Sequence, residues 1–428
     1  MTLPLVDDAT ATPSLVARTT AIPDPGDLAR LVPSDVPARD VVSWLRDGDG
    51  LIGWGRAASV RTEGESRFED AEAWWQRVSA QAVCRTDVDV PGSGPVAFGS
   101  FAFSPRSAAG AALVIPSVVV GRRGGVSWVT HVSTADRLSP TPRIASTHAP
   151  DAPGVLAFSD GALTGPEWST AVARTVDLIQ SGEVDKVVMA RDVEVEAAAE
   201  ISPRWLIQRL SQQYANTWTF SVDGLVGATP EMLVRREKGL VTSRILAGTI
   251  RRTGNDEHDL ALAGSLARSS KDLEEHEYAV RSVADALRPH CTSMNVPESP
   301  FVLHLPNVMH LATDVAGVLD DEAGSLRLAA ALHPSAAVCG TPTAAAAAII
   351  DELERMDRGR YAGPVGWMDT AGDGEWGIAL RCGALDRTEA RRITIYAGCG
   401  IVAGSQPESE LAESEAKLLP MRDALTGD

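Results

Sequence analysis

Four carboxylates fall at helical spacing in two short segments. In PESELAESEAKLL, Glu410, Glu413 and Lys417 are three and four residues apart, so a helix places them on one face. In SSKDLEEHEYAV, Asp272 and Glu275 repeat the i, i+3 spacing. Two helices with a carboxylate pair each can grip a divalent ion between them. Neither segment offers the His–Cys set that zinc favours, and HEYAV (276–280) begins like HExxH without a second His. An all-oxygen set suits Mg²⁺, which keeps waters and often takes an anionic group from the substrate. Each segment alone also reads as a solvated face, with Glu413 and Lys417 as an ordinary i, i+4 ion pair.

Elements must position these groups, and 428 residues can bury a large core. Hydrophobic residues make up 44% and charged ones 22%, which fits a globular protein. The net charge of −18 argues against nucleic acid or an anionic membrane as partner. An anionic substrate would need local cations to reverse that field. Cys84, Cys291, Cys339, Cys382 and Cys399 are scattered without a CxxC, so neither a disulfide framework nor a zinc ribbon is expected. That pattern, with no secretory signal at MTLPLVDDAT and no membrane-length apolar run, places the expected location in the cytoplasm.

Residues 1–30, rich in Thr, Ala, Pro and Asp, read as a mobile tail. From about 40 to 160, runs such as GLIGWGRA, PVAFGSFAFSP and AALVIPSVVVG read as strands of an antiparallel sheet, and 138–154 reads as a loop. Thr164 and Glu167 form a capping-box pattern before the helically spaced Trp168, Val172, Val176 and Ile179. Residues 186–197 alternate like a strand. Helices are expected over 203–214, about 257–288, 343–357 and the C-terminal segment, with strands between them. Strands and helices mix without regular βα alternation, which predicts an α+β fold. One domain is expected over 31–428, with a variable half (31–160) and a motif-bearing half (161–428).

Several motifs are excluded. GCGIVAG (398–404) spaces its glycines GxGxxxG with no following βαβ unit. DTAGDGE (369–375) lacks the alternating ligands of an EF-hand. There is no P-loop and no GxSxG elbow.

EVDKVVMAR, GATPEML, ILAGT, KDLEEHEYAV, HPSAAVCGTP, YAGPVGW, GIALRCG, YAGCGIVAGS and ELAESEAK occur here in one order. Together they resemble the chorismate-utilising enzymes, a family of isochorismate synthases, salicylate synthases and the large subunits of anthranilate and aminodeoxychorismate synthases. The resemblance is dense over about 160–425, and isochorismate synthases of menaquinone or siderophore pathways are its nearest branch. It implies one large α+β domain with paired, largely antiparallel sheets, flanking helices and a central cleft.

Isochorismate formation moves the ring hydroxyl from C4 to C2. Water must attack C2 while the C4 hydroxyl leaves, which needs a base, an acid and cations for two carboxylates. The resemblance assigns Lys186 as base and Glu231 as acid. It makes Glu275 and Glu413 direct Mg²⁺ ligands, with Asp272 and Glu410 holding the ion's waters. The family usually has Glu at the Asp272 position, and the shorter side chain suits a contact through water. Arg381 and Lys417 match residues that bind substrate carboxylates, Gly398 and Gly400 a backbone approach to the same anion, Gly248 and Thr249 a second such loop, and His310 a cleft histidine. Without the resemblance, Lys186 reads as a strand-end lysine reaching solvent, Glu231 as a surface glutamate after a turn proline, and His310 equally as a core histidine.

Ala337 stands where pyruvate-releasing relatives typically carry Thr, which favours the isochorismate branch. No glutaminase segment is recognisable, and no obligatory protein partner is expected. A lyase of salicylate or anthranilate type, or a non-catalytic chorismate-binding paralogue, are the alternatives. The acidic and basic positions are all retained, which argues against the latter.

Overall fold

The computed structural model describes residues 12–134, 144–304, 308–320 and 323–427. Two sheets of 13 and 10 strands stack with their apolar faces together. Among the described residues all strand pairs are antiparallel except Leu15–Ala21 with Val83–Thr86. Between the sheets lies a core that includes Trp44, Phe98, Phe101, Trp128 and Trp376. Both halves of the chain build both sheets. Trp218–Val222 pairs with Val41–Arg46 in the larger sheet, and Pro364–Asp369 pairs with Val96–Phe101 in the smaller. The expected single α+β unit is therefore what forms.

Eight α-helices lie among the described residues: α1 (Arg67–Gln81), α2 (Gly165–Gln180), α3 (Pro203–Gln213), α4 (Asp256–Leu266), α5 (Ser270–Leu287), α6 (Ser325–Ala331), α7 (Thr343–Leu353) and α8 (Pro407–Thr426). None is long and apolar enough to cross a membrane. The Thr164 capping box forms as expected, the threonine accepting from the Glu167 amide while the glutamate accepts from the Thr164 backbone. Helix α8 packs on α2, α3 and the strand Arg392–Ile401, and α5 packs on the strands Leu240–Arg251 and Val308–Leu319. The two carboxylate-bearing helices thus belong to different sheets.

Three expectations are corrected. Residues 1–11 lie outside the described residues, but Leu15–Ala21 is a strand rather than part of a mobile tail, because Leu15 and Ala17 reach the core from one face. The region 40–160 is not all strand. Phe68, Ala71, Trp74, Trp75 and Val78 bury the helical face of α1. The helix expected over 257–288 is two helices, because Ser269 caps α5 by accepting from the Asp272 amide. The loop expected over 138–154 carries no regular structure from 144 onward, and 135–143 lie outside the described residues.

Candidate active site

The site sits where the chain changes sheets. Strand Leu225–Thr229 belongs to the larger sheet and Met232–Glu237 to the smaller, with Pro230 and Glu231 at the corner. Proline cannot continue the ladder, so the strand ends there. Strand Gly374–Ile378 crosses in the opposite sense to Cys382–Leu385, with Arg381 at its corner. The two corners are tied together. The Ile378 amide donates to the Glu231 carbonyl at 3.1 Å, the Thr229 hydroxyl donates to the Ile378 carbonyl at 2.6 Å, and the Ala228 amide donates to the Arg381 carbonyl at 3.2 Å. Arg381 holds φ +47°, a left-handed conformation that costs a non-glycine residue about 1–2 kcal/mol.

Lys186 opens the strand Lys186–Ala197, whose partner Arg392–Ile401 sets Val188 opposite Gly400 and Ala190 opposite Gly398. A β-carbon on Gly400 would lie 3.1 Å from Lys186 Cε. The glycine therefore gives the lysine room to extend across the neighbouring strand. Lys417, from α8, donates to the Gly398 carbonyl at 2.8 Å and pairs with Glu413 at 2.6 Å. That bond occupies the Gly398 carbonyl, so the glycine pair does two jobs: it admits Lys186 and anchors Lys417.

Burial pushes the Glu231 carboxyl up to about 7, against the fields of Lys186, Arg381 and Lys417. Burial lowers Arg381 from its usual value, and Tyr361, Cys399, Glu413 and Glu231 oppose that. His310 is held down at about 4, first by burial and then by Arg381 and Lys417, so its ring is neutral at pH 7. It lies opposite Thr249 in the strand pair that carries the irregularity at 247–249. Gly248, at φ +75°, makes that bulge, and a β-carbon there would meet Asp272 Cβ at 3.2 Å. The bulge thus brings Asp272 of α5 against the sheet.

Glu410, Glu413 and the Cys399 thiol offer ligand atoms within 4.8 Å of one another. The Cys399 thiol is pushed up to about 12 by burial, which keeps it protonated and a poor metal ligand. It donates instead to the Glu410 carbonyl at 3.4 Å. Burial raises Glu413, but Lys417 and Arg381 outweigh it and the net shift is downward, so the group is anionic. What remains for a cation among the described residues is the carboxylate pair Glu410 and Glu413 on α8; Asp272 of α5 is not among the groups within 4.8 Å. That pair fits a hard divalent ion. The side chains of Glu275 and Thr249 lie outside the described residues.

Ala337 is half-buried in the loop before Gly340–Thr341, which pairs with Lys186–Val187. Gly340 is at φ +142°, and a β-carbon there would lie 2.1 Å from the Lys186 carbonyl, so only glycine permits this approach.

Two residues escape the sequence reading. Tyr361 places its hydroxyl 3.0 Å from where a Gly398 β-carbon would be and stacks on Tyr396 at 5.1 Å. Its signal is the first residue of the YAGPVGW motif. His276 is buried; Nε2 is 2.8 Å from the Thr313 hydroxyl and Nδ1 is 3.3 Å from the Ala247 carbonyl, which fastens α5 to the bulge. A separate cavity of about 440 Å³ between the sheets, lined by Trp44, Trp128, Trp218 and Trp367, is not this site. Its arginines are already matched by acids, as in Arg244 with Asp314 and Arg123 with Glu375.

The family model described as chorismate binding enzyme matches residues 13–426. The isochorismate synthase DhbC of Bacillus subtilis is 39% identical over 274 residues, covering 61% of this chain and 68% of that protein. The salicylate biosynthesis isochorismate synthase of Pseudomonas aeruginosa is 34% identical over 412 residues, covering 90% of this chain and 84% of that protein. The structure of MenF, the menaquinone-specific isochorismate synthase of Escherichia coli, superposes with a TM-score of 0.77 at 22% identity, covering 97% of this chain and 95% of that one, and so attests the fold. On the family match and the extent of these alignments, the chain belongs to the chorismate-binding enzymes.

Proposed function

We propose that this protein converts chorismate to isochorismate with Mg²⁺ bound. The observation that carries the reading is Glu231: a carboxyl held near pH 7, in the same cluster as Lys186, Arg381 and Lys417. An acid and a base at one site is what moving a hydroxyl across a ring requires. Lys186 takes the proton from the water that attacks C2. Glu231 gives its proton to the C4 oxygen, which leaves as water. Net water is unchanged, and proton exchange with solvent resets both groups. Arg381 and Lys417 neutralise the substrate carboxylates, the guanidinium by a bidentate grip. Tyr361 and neutral His310 lie by the same cluster without adding charge, the imidazole hydrogen-bonded to the Gly248 backbone.

Glu413 and Glu410 of α8, with Asp272 and Glu275 of α5, would hold the Mg²⁺. The ion would supply charge neutralisation at a substrate carboxylate, offsetting a chain of net charge −18. The half-buried Ala337 supports the branch that retains the enolpyruvyl group. The product would serve menaquinone or siderophore supply; menaquinone is the role named for the Escherichia coli neighbour.

The test is a product assay with purified protein and chorismate, in Mg²⁺ or in EDTA, resolved by liquid chromatography. Isochorismate formed only with metal, without pyruvate, is the expected result. Salicylate or anthranilate with pyruvate would overturn the reaction but keep the site, and no conversion would overturn catalysis.

A further inference from the structure

One edge of the strand Lys186–Ala197 has a gap. Lys186–Val187 pair with Gly340–Thr341, and Val193–Ala197 pair with Leu156–Asp160, but among the described residues no strand covers 188–192 between them on that side. The backbone groups there are satisfied by other means. The Ala190 carbonyl accepts from the Trp168 indole at 2.9 Å, and the Ala190 amide donates to the Glu354 carboxylate at 2.7 Å. The Val188 carbonyl accepts from Arg358 at 2.7 Å, and the Val188 amide donates to the Cys339 carbonyl at 2.8 Å.

Arg358 also donates to the Val338 carbonyl at 2.8 Å and, through Nε, to Glu354 at 2.8 Å. Its guanidinium lies 4.3 Å over the Phe103 ring. The two side chains are 3% and 1% exposed. One fork therefore joins a carbonyl two residues from Lys186 to a carbonyl adjacent to Ala337. Stability alone does not account for the pair, since apolar replacement of a buried ion pair is often neutral or stabilising. What an apolar pair lacks is direction: fixed donors and an acceptor that set two segments in register.

We infer that the Glu354–Arg358 pair is a positioning unit for the reaction centre, locking the Lys186 strand and the Ala337 loop in one mutual register. The inference rests on the reading of Lys186 and Ala337 given under Proposed function. Lysine at 358 keeps the charge but cannot span both carbonyls and the carboxylate with a planar fork. A misplacement near 1 Å can cost about a hundredfold in rate.

The experiment compares the full-length parent with Arg358→Lys and with the charge-free double variant Glu354→Gln/Arg358→Met. Folding is checked by circular dichroism, kcat and KM are measured with chorismate, and pyruvate release is followed. The chain has four lysines, Lys186, Lys238, Lys271 and Lys417, so ¹³C-dimethylated lysines give a short NMR spectrum in which Lys186 is assigned with Lys186→Arg. The expected result is a folded Arg358→Lys protein with kcat down about 10- to 100-fold and KM within about threefold. Pyruvate release should rise, and the Lys186 resonance should shift while that of Lys238 stays. The double variant, which keeps volume without charge, should show the same pattern if Arg358→Lys does not fold. A folded variant with the parent's kcat and Lys186 resonance, differing only in thermal midpoint, would make the pair merely structural and overturn the inference. If the parent itself leaves chorismate unchanged, the functional reading fails, and the Lys186 resonance still decides whether the pair positions that lysine.

Discussion

The strand Leu225–Thr229 has a carboxylate beyond each end, and the two are held in opposite states. At one end Asp223, 1% exposed, is ringed by five guanidinium groups: Arg56 at 3.4 Å, Arg360 at 3.4 Å, Arg387 at 3.3 Å, Arg39 at 3.9 Å and Arg61 closer still. Burial raises it, but these cations outweigh that, and its pKa falls below the ordinary value. At the other end Lys186, Arg381 and Lys417 lie near Glu231, none in an ion pair with it among the described residues, and burial wins. Similar groups, a few residues apart, differ in whether the cations touch. Contact fixes a charge and makes it structural. Separation leaves a proton that can move, which is what a site of acid–base chemistry needs.

Glu231→Gln should break the comparison most severely. With the acid gone, kcat should fall about 10²–10⁴-fold, read in the chorismate assay. Its stability effect has a definite sign. Below pH 4.5 both folded and unfolded states carry the proton. Between 4.5 and about 7 the unfolded state ionises first, so the parent loses stability as pH rises, with the loss complete above 7. The glutamine variant should therefore be more stable than the parent at pH 8, by an amount on the order of 3 kcal/mol, and no more stable at pH 4. Denaturant melts at both pH values check it.

Asp223→Asn should do the reverse. It leaves five arginines facing a neutral side chain and should cost about 3–5 kcal/mol in denaturant melts, with kcat per folded molecule retained. The depressed Asp223 pKa contributes stability above its unfolded value of 3.8 that is lost as pH falls through the folded value, so the cost should shrink in acid. Gly400→Ala should have a smaller effect, confined to Lys186. A methyl 3.1 Å from Lys186 Cε displaces the amine, and kcat should drop about tenfold with the fold intact. Ala337→Thr is the mildest change: chorismate conversion continues, and a measurable fraction of turnovers releases pyruvate in a coupled dehydrogenase assay.

Local signals carried much of this in the sequence. The Thr164 capping box and the alternation of 186–197 placed α2 and the Lys186 strand with the bounds the structure has. Where two local readings competed, the sequence was less clear. The run 257–288 keeps helical character throughout, and only Ser269 marks the break. The strand Leu15–Ala21 lies among Thr, Ala and Pro, and its burial depends on Val126–Thr134, more than a hundred residues away. The same limit applies to the site. Motifs named Glu231 and Arg381, but no periodicity says that both sit at corners where strands change sheets. That placement is tertiary, and it leaves Glu231 half-buried. The Glu354–Arg358 brace was equally hidden, since an i, i+4 pair beyond an alanine-rich helix reads as ordinary surface.

The most direct test is to titrate Glu231 itself. Difference infrared spectra of the parent minus Glu231→Gln, collected from pH 4 to 9, isolate the protonated-carboxyl band of this one residue. The account predicts a band that persists above pH 6 and disappears with a midpoint near 7. A midpoint near 4.5 would mean an ordinary ionised carboxylate at the sheet corner, and would contradict the claim that separation from its cations keeps the Glu231 proton available.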